Sequence, residues 1–540
     1  MSYHSLAFLG FSAAVLIVYY TLGHRRQSLA LALANLAFYA IAGVRYIPFL
    51  LATMLATYFA ARRIDGIYAA SGEELAACSE PARKKLIRAE AKARAKKWLA
   101  AGMAVSIGLL VAGKYTGFLL ENLNAVLRLI QLPQVPIFRM ILPLGISFYT
   151  FMALGYLLDV YWRRYSAERD FVKYAAFLAY FPHVVQGPID RYNEFSLQLE
   201  GEIAFDVDRL ASGAQLMLWG FFKKLVVADR LGLLVDTAFT YWGRGRGFVL
   251  ILAVAAYSIQ IYADFSGCID IVSGVSEMLG IGLRRNFDHP YFSRTMGEFW
   301  RRWHMSLMEW FKDYVYFPVS TSAFVKNTRR AWTKRGWTRG AELLGSCFPI
   351  LVVWLISGIW HGAAWKYVVW GLFHAALLIG ANVFEPVFAA VNRRLRVNTE
   401  HPLWRLWQML RTFALCCVGR VFFRADSLGA ALSYFRAMLP LEFSVDALQP
   451  VQLCHEHRKC HRLRGLGAGI DRGGRGAGAH APSQDAGEAK HRPAVGADLR
   501  LSLRGHTVRH LRPRLWQGVY LRTVLERVCQ MAEAHSNQGG

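Results

Sequence analysis

The chain has 540 residues, of which 54% are hydrophobic and only 19% charged, with a mean hydropathy of +0.24. A soluble globular protein of this length would be more polar; long apolar segments that recur along a chain mark a protein that crosses a membrane several times. The formal charge of +26 does not signal nucleic acid, because Lys and Arg sit in short stretches between apolar runs, as in cytoplasmic loops of membrane proteins.

The first element, SLAFLGFSAAVLIVYYTLGHRR, has no basic residue ahead of its apolar stretch and a basic pair behind it, which fits a first span rather than a cleaved signal peptide. Further apolar runs start near residues 28, 48, 99, 138, 170, 210, 247, 343, 366 and 405. A spanning helix needs about 20 apolar residues, so the shorter runs read as re-entrant. The predicted fold class is all-α: a polytopic membrane protein of roughly 10–12 spanning or re-entrant helices around a central polar cavity. The basic stretches His24-Arg25-Arg26, PARKKLIRAEAKARAKKW (81–98) and Arg163-Arg164 are each two spans apart and fall on one side. The positive-inside rule makes that side the cytoplasm, with the N-terminus outside and the protein multi-pass in the inner (cytoplasmic) membrane. KNTRRAWTKRGWTR (326–339) and RRLR (393–396) read as cytoplasmic too. The segment 64–98, rich in Ala, Lys, Arg and Glu, is predicted to lie as a helix on the inner membrane surface. GRGRG (243–247) follows no strand and opens no helix with an acidic residue downstream, so it is a loop and not a phosphate cradle.

Two aromatic-basic blocks carry the chemistry. NFDHPYFSRTMGEFWRRWHMSLMEWFKDYVYFPVS (286–320) is too polar for a free-standing span yet lies between strongly apolar segments. Backbone of that kind survives at membrane depth where protein or a water-filled cavity surrounds it, so the block is predicted to line such a cavity. On a continuous helix Trp300, Trp303 and His304 would share one face, with Arg301 and Arg302 turned away. A membrane-interface belt of Trp, Tyr and Arg is the structural alternative. In ISGIWHGAAWKYVVWGLFH (356–374), His361 stands in an almost unbroken apolar run between Gly358 and Gly362. Ionisable residues inside a membrane are expensive and usually serve function. An imidazole accepts a proton near neutral pH, which activating a hydroxyl nucleophile requires; the competing reading is a packed core histidine. His361 and His374 could face one cavity, but no bis-His pattern recurs on other spans, which sets haem aside.

The last 90 residues break the pattern. Residues 451–540 contain eight of the sixteen His, two Lys and no Phe. The predicted organisation is a membrane domain over 1–445 and an atypical basic Gly/Arg/His-rich tail over 446–540, disordered or the product of a frameshift near residue 450. Sequencing the coding DNA across that point tests it: an uninterrupted frame with no apolar spans encoded downstream would sink the frameshift. The Cys and His of CHEHRKCH (454–461) have no folded unit around them to make a zinc site, and the eight Cys are too irregular for a disulfide framework.

EFWRRWHMSLMEWFKDYVYFPV (298–319), followed by SGIWHGAAWKYVVWGLFH (357–374), resembles the membrane-bound O-acyltransferase family. The closer likeness is to its bacterial branch of alginate O-acetyltransferase-like proteins, related to the D-alanyl transfer protein of teichoic acid modification. LPLGISFYTF (142–151), AYFPHVVQGPIDRY (179–192), GFFKKLVVADRL (220–231), QIYADFSGCIDIVSGVSEMLGIGLRRNFDHPY (260–291) and VFFRADS (421–427) support it, and the likeness spans about residues 5 to 440. It implies a ring of spanning helices around a thinned centre where a cytoplasmic acyl donor meets an external acceptor. It maps the catalytic His onto His361 and the second important position onto His304.

The mechanism expected is general-base catalysis by His361, which deprotonates an acceptor hydroxyl that attacks an acyl thioester. His304, when protonated or in the suitable tautomer, and Trp indole N–H groups are the candidate oxyanion donors, and Asn286, Asp264 and Arg302 are further candidates for shaping the cavity. The donor is acetyl-CoA or an acylated carrier protein; no tightly bound cofactor and no metal is called for, since no HExxH or carboxylate cluster occurs. The expected partners are membrane lipid, an exported polysaccharide or cell-wall polymer, and an extracytoplasmic acyltransferase that completes the transfer, with no nucleic acid. The rivals are D-alanyl transfer to a teichoic acid-type polymer, and a transporter or channel that uses the cavity without acyl chemistry; no internal repeat supports the latter.

Overall fold

The computed structural model describes residues 2–22, 26–138, 140–201, 203–240 and 247–439. His24, Arg25, the first four residues of GRGRG, the CHEHRKCH stretch and the rest of the tail lie outside the described residues. Within them the structure is helical, and an isolated bridge between Phe287 and Trp303 is the β pairing present.

The chain opens with α1 (Leu6–Thr21), capped by the Ser5 side chain, which accepts from the Phe8 backbone N–H. α2 (Gln27–Gly43) passes through one tight turn into α3 (Ile47–Ala77), and α4 (Pro81–Leu129) starts on a proline, which has no N–H to leave orphaned. Residues 64–98 are therefore not a separate helix laid on a surface. They form the paired ends of α3 and α4, interrupted at 78–80. At 1.5 Å per residue the 49 residues of α4 extend about 73 Å, more than twice the apolar thickness of a bilayer. The charged first turns of α4 thus lie beyond its apolar half.

The run near 138 begins as irregular backbone. Asn124 clamps it, its amide donating to the Val135 carbonyl and accepting from the Val135 N–H, both at 2.8 Å. α5 (Ile146–Tyr161) follows and is buried on nearly every face, as a helix apolar all round should be. α6 (Phe171–Leu178) spans only eight residues, too few to cross alone, and α7 (Tyr192–Leu197) is shorter still. α8 (Val207–Phe221) runs through a π-helical turn (Phe222–Ala228) into α9 (Asp229–Thr240).

α10 (Phe248–Met278) packs against α8 at two paired glycines. A Cβ on Gly213 would stand 2.5 Å from the Gly274 carbonyl oxygen, and one on Gly220 2.6 Å from that of Gly267. The backbones touch there, a way for helices to associate where no hydrophobic effect draws them together. The remaining helices are α11 (Met296–Arg302), α12 (Met305–Phe311), α13 (Phe317–Ser320) after a second π-helical turn (Lys312–Tyr316), α14 (Ala323–Lys334), α15 (Thr338–His361), α16 (Trp365–Arg394), α17 (Pro402–Arg424) and α18 (Leu428–Met438).

Among the described residues six helical stretches are long and apolar enough to cross a membrane: Gln27–Ala77, Pro81–Leu129, Phe248–Met278, Thr338–His361, Trp365–Arg394 and Pro402–Arg424. Leu6–Thr21 and Ile146–Tyr161 are apolar but shorter. The chain is an all-α polytopic membrane protein, as its hydropathy predicts.

Candidate active site

His361 is the last residue of α15. The next helix folds back after three residues, and the two cross with backbone in contact: a Cβ on Gly371 would lie 2.3 Å from the Trp354 carbonyl oxygen, and one on Gly358 2.4 Å from that of Tyr367. Gly358 thus admits a second backbone. The end of a helix leaves carbonyls without intrahelical partners, and α4 supplies them. Lys114 Nζ donates to the Trp360 carbonyl and to Ser147 Oγ (3.2 Å), and the Tyr115 hydroxyl donates to the Ile359 carbonyl (2.8 Å). A cation here also suits the negative end of the helix dipole. The His361 ring sits between Trp360 (4.9 Å), Trp370 (4.8 Å) and Phe423 (5.3 Å). It is half-buried, and among the described residues neither ring nitrogen has a hydrogen-bond partner.

His304 arrives differently. α11 starts where Thr295 accepts from the Glu298 N–H, a sequence-readable cap. It stops at Arg302: Trp303 is extended, and His304 adopts φ +48°, rare for a residue with a Cβ. The expected helix face carrying Trp300, Trp303 and His304 is therefore broken between its members. Residues 286–288 cause the break by pairing with 302–305 as a short antiparallel ladder, Asp288 N–H to the Arg302 carbonyl and Met305 N–H to the Asn286 carbonyl, each 3.0 Å. Strain of this kind persists only where surroundings enforce it.

Asn286 also sets the tautomer of His304. Its Oδ1 accepts from the Ser306 backbone N–H (3.2 Å) and hydroxyl (2.6 Å), which identifies that atom as the oxygen, and His304 Nδ1 lies 3.4 Å from it. Nδ1 must then carry the proton, and Nε2 keeps its lone pair. His304 is 3% exposed, and burial pushes its imidazole down to about 3, so it stays neutral and Nε2 is an acceptor. The expectation that His304 donates to an oxyanion does not fit this tautomer.

The two histidines line one cavity of about 400 Å³, with Lys114 from α4, Ser147 and Phe148 from α5, Val185 and Gln186 from the FPHVVQG stretch, Asp264 and Phe265 from α10, Trp300 and Trp303, Ser357, Trp360 and Trp370, and Arg420 and Phe423 from α17. The FPHVVQG stretch is held by His183, whose ring nitrogens meet Asp190 Oδ2 and the Phe177 carbonyl, both at 2.9 Å. Of the lesser candidates, Asp264 is in the wall but pairs with Lys224 (2.9 Å), and Asn286 stands behind His304. Arg302 does not line the cavity; it pairs with Glu298 (2.8 Å). His374 is outside it as well, beyond Trp370 and enclosed by Trp300 and Trp354.

The indole nitrogens of Trp300, Trp360 and Trp370, Asn286 Nδ2, and Nε and Nη2 of Arg420 are buried without partners among the described residues. All are donors, and the missing complement is an acceptor. The sequence reading named the Trp donors but passed over Arg420 and Lys114. Each is a single cation in an apolar run, ALCCVGRVFF and LLVAGKYTGF, and that signal was available.

A sequence model described as MBOAT, membrane-bound O-acyltransferase family, matches residues 163–332, which include His304 and end before His361. The probable alginate O-acetylase AlgI of Azotobacter vinelandii is 31% identical over 428 residues, covering 77% of this chain and 78% of that protein. The peptidoglycan O-acetyltransferase of Helicobacter pylori is 28% identical over 473 residues, 83% and 79% of the two chains. The teichoic acid D-alanyltransferase of Bacillus subtilis is 27% identical over 294 residues, 54% and 71%.

Proposed function

The chain belongs to the membrane-bound O-acyltransferase family, and from that premise we propose that it moves an acetyl group from a cytoplasmic thioester, acetyl-CoA or an acylated carrier protein, across the inner membrane toward hydroxyls of an exported polysaccharide or cell-wall polymer. His361 is the general base. It takes the proton of the acceptor hydroxyl as the oxygen attacks the acyl carbon, and it returns that proton to the departing thiolate; help of this kind contributes about 10² to 10⁴ in rate. His304, with Nε2 as an acceptor, orients the incoming hydroxyl. An extracytoplasmic acyltransferase completes delivery to the polymer. The basic stretches between spans support a cytoplasmic donor side, and the acyltransferase domain covers 1–445.

The observation that carries this reading is the meeting of His304 and His361, from segments 57 positions apart in the sequence, in one cavity where the His361 nitrogens are unoccupied. The cavity charges favour acetyl over D-alanyl. Lys114 and Arg420 are both cationic, and Asp264 is tied to Lys224, so an acyl group bearing an ammonium would meet like charge.

Labelled acetate fed to cells with the chain is expected to enter the surface polymer as an alkali-labile ester, and labelled D-alanine is not. Cells carrying His361→Ala should show neither label while keeping the protein in the membrane. Undiminished acetylation by that variant would remove His361 from the mechanism.

A further inference from the structure

Arg420 is a buried cation with no described carboxylate set against it; the Tyr291 hydroxyl is within its hydrogen-bond reach. It lies on α17, 4% exposed, and lines the same cavity as His304 and His361. Its guanidinium carbon stands 4.3 Å from the centre of the Trp303 ring. Nε and Nη2 have no hydrogen-bond partner among the described residues, and no described carboxylate pairs with it. Three other cations with little exposure meet carboxylates, Arg191 with Asp313, Arg284 with Glu194 and Glu309, and Lys223 with Asp270, while Lys114 is held by a carbonyl and a hydroxyl. Taking a guanidinium out of water is costly unless an anion or acceptor completes it, and the Trp303 face offsets part of that cost. Arg donates only and is always charged, so its complement is an oxygen that carries, or acquires, negative charge.

The reaction creates one such oxygen. Of the other ionisable groups, His304 faces the cavity as an acceptor, His361 is the base, and Lys114 Nζ donates to the Trp360 carbonyl and Ser147; the unpaired indole N–H groups of Trp300, Trp360 and Trp370 also line the cavity, but they are neutral and Arg420 is charged. We propose that Arg420 is a catalytic residue that holds the carbonyl oxygen of the transferred acyl group as it becomes an oxyanion. The inference rests on the acyl-transfer reading above. In the step, the acceptor oxygen forms a bond to the acyl carbon while its proton passes to His361, and the carbonyl π pair moves onto the oxygen beside Arg420. When that pair returns, the carbon–sulfur bond breaks, and the thiolate leaves with the proton from His361.

The test uses the full chain in lipid nanodiscs with acetyl-CoA carrying a labelled acetyl group, comparing wild type, Arg420→Met, Arg420→Lys and His361→Ala. Arg420→Met is expected to lower kcat about 10²- to 10³-fold, the effect of removing an oxyanion donor, with KM for acetyl-CoA within about twofold, because the interaction exists only in the transition state. Arg420→Lys keeps the charge and should recover about tenfold of that loss. If Arg420→Met does not fold, the kcat of Arg420→Lys decides, and a wild-type value would overturn the proposal. A raised KM with unchanged kcat would also overturn it, since Arg420 would then bind a standing anion of the donor. A wild type that transfers acetyl, loses it in His361→Ala and keeps it in Arg420→Met would sink this proposal alone. A wild type that transfers acetyl neither from acetyl-CoA nor from an acetyl-loaded carrier protein supplied in its place would sink the acyl-transfer reading and this proposal with it.

Discussion

Two buried regions of this protein handle their polar atoms in opposite ways. Around α5 most buried tyrosines are hydrogen-bonded: Tyr3 donates to the Phe181 carbonyl (2.8 Å), Tyr39 to that of Leu144 (2.7 Å), Tyr174 meets Thr57 (2.6 Å) and Tyr180 meets Ser276 (2.8 Å). Tyr314 donates to Asp159 (2.7 Å), whose second oxygen holds Arg164, and the Trp310 indole donates to the Phe151 carbonyl (2.9 Å). The exceptions among the described residues include the Tyr149 hydroxyl and Thr150 Oγ1 on α5 itself. At the cavity, the indoles of Trp300, Trp360 and Trp370 and most of the Arg420 guanidinium are buried unpaired. Satisfied polar groups hold a fold in one arrangement, whereas unsatisfied ones store a demand that a substrate meets. Unpaired buried atoms also occur away from the cavity, at Ser12, Trp404 and Gln408 for example, but the cavity gathers three indoles and a guanidinium in one wall.

Substitutions that divide the two sharpen that contrast. The largest effect is expected from His361→Ala: acetyl transfer in nanodiscs falls about 10²- to 10⁴-fold, while the melting temperature stays close to that of wild type, because no described residue hydrogen-bonds the ring. A melting temperature that collapses with activity would place His361 in the frame. The mirror case is Tyr314→Phe, which strips a hydrogen bond from the buried Asp159. It should cost about 1.5–3 kcal/mol of stability, the range for bonds to charged groups, and leave the rate per folded molecule unchanged. A rate loss at full stability would break the distinction.

The sequence made the helical, membrane-crossing character legible because hydropathy is a property of windows, and spans satisfy their own backbone bonds. It also named both cavity histidines: His361 because an imidazole in an apolar run is conspicuous, and His304 through the resemblance that its aromatic-basic block carries. It misjudged 64–98, where Ala, Lys, Arg and Glu signal helix but not whether the helix continues its neighbour. It misjudged the continuity of 300–304 because the break at Trp303 and His304 comes from residues 286–288, which no local periodicity records. Arg420 was overlooked for a related reason: its meaning lies in lacking a partner, and only the fold shows which partners are within reach.

Lys114 belongs to both regions, being a satisfied group that positions the site. Lys114→Met removes the donor to the Trp360 carbonyl and loosens the last turn of α15. A catalytic group displaced by about 1 Å costs up to 10² in rate, so a roughly tenfold fall in kcat is expected, read at a melting temperature within a few degrees of wild type. An unchanged kcat would mean that Tyr115 and α16 fix His361 without Lys114.

The smallest effect tests the frame from its rim. Arg284, two residues ahead of the Asn286 that orients His304, donates two bonds to Glu194 (2.5 and 2.7 Å), one to Glu309 (2.8 Å) and its backbone N–H to Asp190 (3.1 Å). The hydrogen bonds from Arg284, then its charge, hold the Glu194 carboxyl below the usual carboxylate range. A depressed folded pKa means that the contribution to stability is full above the unfolded value of about 4.3 and fades as pH falls through the folded one. Glu194 is about half exposed, so solvent screens the pair and its worth is at most about 1 kcal/mol. Glu194→Gln should therefore lower the melting temperature slightly at pH 7, and the gap to wild type should close as pH drops below 4. Because Asp190 and Glu309 still grip Arg284, the transfer rate should not change. A rate that falls with Glu194→Gln would show that the placement of Asn286, and through it the His304 tautomer, depends on a bond at the protein surface.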